Sequence, residues 1–252
     1  MKPREWLTKP HSLFRHVWAR RGLLGGRWFY LEVFVIGLFG VAGIYFATNH
    51  LVAYLASYPW SPELPIDRQI PPVAWMIVPY ASLYLLTPGA IILHPTNDRG
   101  RMELLLAAQG VVALSAFHAI FFLLFPADIA LRDQLPANIQ AYEGLFGAIF
   151  EFIHAADNPT NAWPSLHISL SYVICRVMTI WLDRDYAETS WGKPLKWALW
   201  INWGLLCISV LTTKQHFIFD LFTGFIVAYF WWWLLEPGFA KIAATADADI
   251  GF

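Results

Sequence analysis

The chain has 252 residues, 58% of them hydrophobic and 14% charged, with a formal net charge of −1. Soluble domains carry about 45–50% apolar and about 25% charged residues, so water alone is excluded as the solvent. The near-neutral balance also argues against a nucleic-acid binder, which needs a strongly basic face.

Bilayer hydrocarbon is about 30 Å thick, and a helix needs about 20 mostly apolar residues to cross it. Residues 1–27 form a basic segment carrying Lys2, Arg4, Lys9, Arg15, Arg20, Arg21 and Arg27. This is longer than a usual signal-peptide n-region, and no small-residue cleavage site follows, so the first apolar run reads as a retained membrane helix. Spans are expected at roughly Trp28–Ala47, Val73–Leu93, Leu104–Phe125, Leu166–Leu182, Leu195–Leu211 and Phe217–Leu235, the fourth and fifth being the weaker patterns. The expected organisation is one membrane domain over 28–235 with a tail over 236–252. Trp60, Trp163, Trp181, Trp191 and Trp197 near span ends fit an interfacial aromatic belt, while Trp231 to Trp233 fit either a belt or core packing.

The positive-inside rule sets an orientation. With the N-terminus cytoplasmic, that side holds 13 of the 17 Lys and Arg residues, including Arg99, Arg101, Arg184, Lys193, Lys196 and Lys241. The other side holds Arg68, Arg132 and Lys214, and Arg176 falls inside a span. Both termini are then cytoplasmic. The longest outer segment, Pro126 to Trp163, contains Ile139, Tyr142, Phe146, Ile149, Phe150 and Ile153 at helical spacing, which predicts an amphipathic helix along the membrane surface. Such a helix is a plain connector or a lid over a substrate. The whole is an all-α integral membrane bundle of six transmembrane helices plus this extracytoplasmic helix. No repeat of 20–50 residues and no low-complexity tract interrupts it.

Two histidine motifs open on the same expected outer side. Asn161-Ala162-Trp163-Pro164-Ser165-Leu166-His167 begins the fourth span, and Ser209 to Asp220, containing Lys214, Gln215 and His216, joins the fifth to the sixth. Pro164 suits a first helical turn, leaving the amides of Ser165, Leu166 and His167 at a helix start that favours anions. His216 and Asp220 at i, i+4 on the sixth helix would share a face, where the carboxylate orients the imidazole and raises its basicity. An ionisable group at membrane depth, as Asp220 is, marks a functional candidate. Its bland alternative is a carboxylate satisfied by His216 or Lys214 for packing alone.

Pro164-Ser165-Leu166-His167 and Ser209-x6-His216-x3-Asp220 resemble the second and third motifs of the phosphatidic acid phosphatase type 2 superfamily. Trp-Pro-Ser-Leu-His, Thr-Lys-Gln-His, and Asp67-Arg68-Gln69-Ile70-Pro71 followed by Trp75 and Tyr80 resemble most its inositol-phosphorylceramide synthase-like branch. The likeness runs from about Asp67 to Tyr229. It implies a metal-independent, cofactor-free lipid phosphatase or phosphotransferase at the extracytoplasmic face, acting on a phospholipid, sphingolipid or polyprenyl phosphate. His216 would form a phosphohistidine, supported by Asp220. His167 would serve as acid and then base, and Ser165, Lys214 and Arg68 would bind the phosphate.

The family's first motif, Lys-x6-Arg-Pro, is missing, and Val210 stands where an arginine follows Ser209. The pocket must find its positive charge elsewhere, with Arg132 the remaining cation on that side. A non-catalytic headgroup or anion binder or transporter is the alternative function. His94 and His118 lack the depth match that a haem pair needs. His154 could reach the site from the outer segment or stay at the surface. Arg99 and Arg101 fit a solvated cytoplasmic loop, and His11 and His16 the basic flank. Cys175 and Cys207 lie in apolar runs, which disfavours a structural disulfide or a cysteine metal site.

Overall fold

Each of the expected apolar runs becomes one long helix in the computed structural model, which describes residues 7–55 and 60–252; Lys2 and Arg4 of the basic flank lie outside them. The spans are Leu23–Leu55, Ala74–Leu93, Asp98–Leu124, Leu166–Arg184, Gly192–Thr212 and Ile218–Ala244, numbered one to six below. All regular structure among the described residues is helical. The third and sixth spans, at 27 residues each, are about 40 Å long and exceed the hydrocarbon thickness.

Span four is the hub. It packs on spans two, three, five and six, and 78% of its apolar stretch is buried against 17% for span one. That placement explains why its sequence pattern is weak: Ser169 and Ser171 face protein, where hydroxyls bond to Ser165 and His167 carbonyls. His118 of span three joins it, with ring nitrogens 2.9 Å from the Leu114 carbonyl and 3.0 Å from Ser169 Oγ. His94 sits apart, 2.6 Å from the Ile91 carbonyl and against the Tyr30 ring. Glu103, fully buried in span three, accepts two bonds from Arg184 at 2.7 and 2.9 Å and one from Trp181 Nε1 at 2.8 Å. A buried carboxylate satisfied this fully is a structural clamp between spans three and four. Trp181 is therefore core rather than belt, as are Trp231 and Trp232, whereas Trp191, Trp197 and Trp233 are exposed.

The described part of the basic flank and the segment after span six meet at the start of span three, at the end of the bundle away from the two histidine motifs. Arg21 and Arg101 both bind Asp98 at the start of span three, and Arg99 bonds Asp247 and the Thr245 carbonyl just past span six. Helix continues through Pro237 to Ala244, so span six runs past the expected boundary at Leu235. Arg176 stacks over Trp232 and lies 3.6 Å from Glu236.

Span one runs farther than expected and changes pitch midway, with a π-helical stretch over Leu38–Gly43. Gly40 permits its approach to span three, because a Cβ there would strike Val112. At its far end Asn49 is fully buried and bonds the Asp157 carboxylate, the Asn158 backbone and the Asn158 side chain. Span two is interrupted at Ser82, and Pro88 lies inside its second half.

The expected outer helix is broken. A short turn over Ala137–Gln140 precedes the helix Gly144–Ala156, and between them Tyr142 and Gly144 adopt left-handed backbone at φ 56° and 68°. Ile139 therefore belongs to a different piece from Phe150 and Ile153. All three still bury against Ile77 and Tyr80 of span two, so this segment covers protein, and Tyr142 turns outward.

Candidate active site

Two chain reversals put the histidine motifs together. Span five ends in a Schellman turn: Lys214 N bonds the Leu211 carbonyl at 3.2 Å and Gln215 N the Val210 carbonyl at 3.2 Å. The left-handed position that closes such a turn is usually glycine, yet here it is Lys214 at φ 59°. The conformation costs roughly 1 kcal/mol or more in a non-glycine residue. The Lys214 side chain offsets it by donating to the Asp67 and Ile70 carbonyls at 3.0 and 2.6 Å. Asp67 in turn accepts from Leu64 N at 2.7 Å and from Ile218 N, in the first turn of span six, at 2.8 Å. The Asp67–Ile70 segment is thus a cradle for the loop that carries His216.

Span six begins at Ile218 with Phe217 as its cap, so His216 precedes the helix and does not share a helical face with Asp220. The pair forms by capping: Asp220 Oδ2 accepts from Phe217 N at 2.9 Å and lies 3.4 Å from His216 Nδ1. That is an ion-pair separation, long for a hydrogen bond. The span-four motif is shifted in the same sense. Helix begins at Leu166, Pro164 stays outside it, and the Ser165 amide donates to the Asp220 carbonyl at 3.2 Å. The Ser165 amide is thereby occupied, and its hydroxyl faces His216 Nε2 at 3.4 Å. Gly224 makes this crossing possible, since a Cβ would sit 2.9 Å from the Ser165 carbonyl oxygen.

His167 completes the cluster. Its Nδ1 lies 3.4 Å from His216 Nε2, and its ring stacks on Tyr80 with centroids 4.4 Å apart. His216 therefore presents one nitrogen to Asp220 and the other to both Ser165 and His167. Five buried polar atoms without a hydrogen bond lie here: His167 Nε2, His216 Nδ1, Asp220 Oδ1, Tyr80 Oη and Arg132 Nε. Such orphans are few in most proteins and call for an explanation.

The cations are distributed differently from the sequence expectation. Arg68 lies at the surface, held by Glu63 at 2.5 Å and Asp133 at 3.2 Å, and hydrogen bonds to those two carboxylates hold its guanidinium in the charged form. Lys214 is fully buried on carbonyl oxygens, and burial pulls its pKa down. Neither side chain bonds a histidine of the cluster. Arg132 bonds the neighbour of His216: its Nη2 donates to Gln215 Oε1 at 2.8 Å, and both terminal nitrogens donate to the Asp157 carbonyl at 3.2 and 3.3 Å. Gln215 Nε2 continues to His154 Nε2 at 3.0 Å, and burial, then Arg132, lower the His154 pKa to about 4. His154 is thus neutral and part of the Arg132–Gln215 network.

Asp157 is a group at this site that the sequence analysis did not single out. It accepts from Tyr45 Oη at 2.5 Å and lies 3.9 Å from Arg132 Nη2. Burial pushes its carboxyl up, opposed by the Tyr45 bond and by the charges of Arg132 and His216. Nothing in local spacing marks it, because the hydrogen-bond partners of its carboxylate, Tyr45 and Asn49, come from span one, over 100 residues away.

This geometry separates anchoring from chemistry. Lys214→Met is expected to strip two buried carbonyls of their donor, costing about 2 kcal/mol or more, and to lower the thermal midpoint in detergent. The affinity for a phosphate-bearing ligand should change little in the fraction that remains folded. A stable variant with weakened ligand binding would return Lys214 to the phosphate site.

The PAP2 superfamily model matches residues 55–234, from the end of span one through most of span six and across both histidine motifs. No curated protein matches the chain.

Proposed function

Because this chain belongs to the PAP2 superfamily, we propose that it is a metal-independent lipid phosphatase or phosphotransferase working through a phosphohistidine on His216. The carrying observation is that His216 Nε2 meets Ser165 Oγ and His167 Nδ1, both at 3.4 Å, while Asp220 stands at its other nitrogen. That is the arrangement of nucleophile, acid–base partner and orienting carboxylate. His216 Nε2 attacks phosphorus and the bond to the leaving oxygen breaks, with His167 supplying the proton. In the second step His167 removes a proton from water or an alcohol, whose oxygen takes the phosphoryl group from His216. Asp220 holds the tautomer and stabilises the imidazolium.

At 3.4 Å the facing nitrogens leave no phosphoryl-sized gap between the rings. The group enters beside them, its bridging oxygen going to His167 Nε2, the nitrogen without a partner. Arg132 supplies the positive charge that the missing first motif would provide, with Ser165 as a neutral donor. Charge stabilisation of this kind is commonly the largest single term in such a site. Arg132→Ala should lower kcat/KM about 10²–10³-fold, and Arg132→Lys should recover part of it; an Arg132→Ala enzyme with unchanged kinetics would remove Arg132 from the site.

Water as acceptor makes the protein a phosphatase, and a lipid hydroxyl makes it a transferase. The Trp-Pro-Ser-Leu-His and Thr-Lys-Gln-His wording favours transfer, by its resemblance to the inositol-phosphorylceramide synthase-like branch. Under the proposed orientation both termini are cytoplasmic and the site is extracytoplasmic, beside the headgroups of phospholipid, sphingolipid or polyprenyl phosphate substrates. The test is product analysis from a panel of those lipids, with and without a hydroxyl-bearing acceptor lipid. Free phosphate identifies hydrolysis and a new phospholipid identifies transfer.

A second reading, a headgroup or anion binder without turnover, draws on the closed histidine pair. It predicts lipid binding with no product from any substrate, and a His216→Ala variant that binds but also forms none.

A further inference from the structure

The end of the bundle away from the histidine cluster carries a cavity of about 300 Å³, which suits a headgroup-sized ligand rather than a whole lipid. Three chain segments meet around it, and each is clamped. The stretch from Leu7 to His11 is held by Gln109 of span three, which is buried, accepts from His11 N at 2.6 Å and donates to the Lys9 carbonyl at 3.2 Å. Span six admits that stretch at Gly238, where a Cβ would lie 2.8 Å from the Thr8 carbonyl oxygen. The turn Asp247–Asp249 is fixed by Arg99, which bonds the Asp247 carboxylate at 2.8 Å and the Thr245 carbonyl at 3.0 Å. Met102, Ile242 and Ile250 give the cavity apolar walls, and its charged lining residues are Lys9, Lys241 and Asp249. Among the described residues, neither lysine ammonium forms an ion pair.

Depth identifies the surroundings. Met102 is four residues into span three, and Lys241 is three residues from the end of span six, so the cavity lies within about 6 Å of those helix ends. Both spans have 27 residues and exceed the hydrocarbon thickness by about 10 Å, so their ends project into the headgroup layer.

We propose that this cavity binds the headgroup of an anionic phospholipid in the adjoining leaflet, its phosphate on Lys9 and Lys241 and a headgroup hydroxyl on Asp249. Lysine serves phosphate as a point charge, and basic pockets between helices at the membrane surface attract acidic lipid. Asp249 repels a phosphate dianion, so it favours a singly charged phosphodiester with a hydrogen-bond donor beyond the phosphorus. The apolar walls accept the glycerol backbone and the first methylenes. The site is separate from the histidine cluster and stands whether or not the protein turns over lipid. A lipid held here ties the stretch before span one to the end of span six, the helix that begins just after His216.

The test titrates delipidated full-length protein in detergent with phosphatidylglycerol or phosphatidylcholine and counts bound lipid by native mass spectrometry. Wild type is expected to retain phosphatidylglycerol in preference to phosphatidylcholine. The double variant Lys9→Gln/Lys241→Gln should weaken that retention about tenfold or more. Arg27→Gln/Lys193→Gln, the same charge change at exposed positions outside the cavity, should leave it nearly unchanged. Asp249→Asn should narrow the preference for phosphatidylglycerol over phosphatidic acid, which has no headgroup hydroxyl. Equal losses in the two double variants, or no loss in either, would reduce the cavity to ordinary surface charge and overturn the site. A soluble ester, sn-glycerol 3-phosphate, separates the two sources of the phosphate. Its failure to displace the lipid supports a membrane ligand, whereas displacement at concentrations comparable with the lipid would overturn the lipid assignment.

Discussion

His216→Ala should lower lipid-phosphate turnover by at least about 10⁴-fold, since removing the nucleophile of a covalent mechanism can cost about 10⁶-fold. No neighbour replaces it. Ser165 Oγ lies 3.4 Å from the same nitrogen but has no carboxylate behind it, and His167 stacks on Tyr80 with Asp220 out of its reach. The direct measurement is rapid-quench trapping of an acid-labile, base-stable phosphoenzyme, present in wild type and missing from the variant. Turnover that survives within tenfold would dismiss His216 as nucleophile. Because Asp220 is fully buried and would lose the imidazole beside it, a fold control is needed. His216→Gln, with a melting profile close to wild type, should be equally inactive.

His167→Ala should cost about 10²–10⁴-fold, the usual range for one acid–base group, and the loss should depend on the leaving group. An alkyl alcohol needs the His167 proton in order to depart, whereas a nitrophenolate does not. With a nitrophenyl phosphate ester the variant should therefore complete the first step, release one equivalent of nitrophenol in a burst, and stall as phosphoenzyme for want of a base. His216→Ala shows no burst with either substrate. If the His167 variant lost equal activity on both esters with no burst, His167 would be a positioning residue that holds the His216 ring.

The spans and the histidine residues were legible in the sequence for different reasons. Spans one, two, five and six bury a third or less of their apolar stretch, so their composition reports the solvent directly, and span three, though 67% buried, has the same mean hydropathy as span one. Span four faces protein on nearly all sides. Its serines, His167 and Arg176 dilute the apolar signal, and the histidine motif at its start marked it better than its hydropathy did. The motifs identified His167, His216, Ser165 and Asp220 as a group, but spacing suggested the wrong mechanism for pairing: an i, i+4 helical face rather than a cap, because helix starts are poorly fixed by pattern. For Lys214 the sequence did not show the anchoring role, because its left-handed backbone and carbonyl partners come from a turn normally marked by glycine. Arg132 and Asp157 carry no local signature at all, since tertiary bonds to Gln215, Tyr45 and Asn49 define them. The break at Tyr142 was hidden because Ile139 and Phe150 bury on the same neighbours from separate pieces.

The cradle built by Asp67 has a consequence for how the protein is made. The segment that positions His216 is synthesised ahead of span two, and the amide it caps, Ile218 N, arrives some 150 residues later. Until span six has been inserted, Asp67 lacks that donor, the Lys214 turn lacks its anchor, and the Ser165 amide lacks the Asp220 carbonyl. A nascent chain halted before that point would hold His167 without the packed His216 cluster, so under the proposed mechanism it would be inactive until span six is in place.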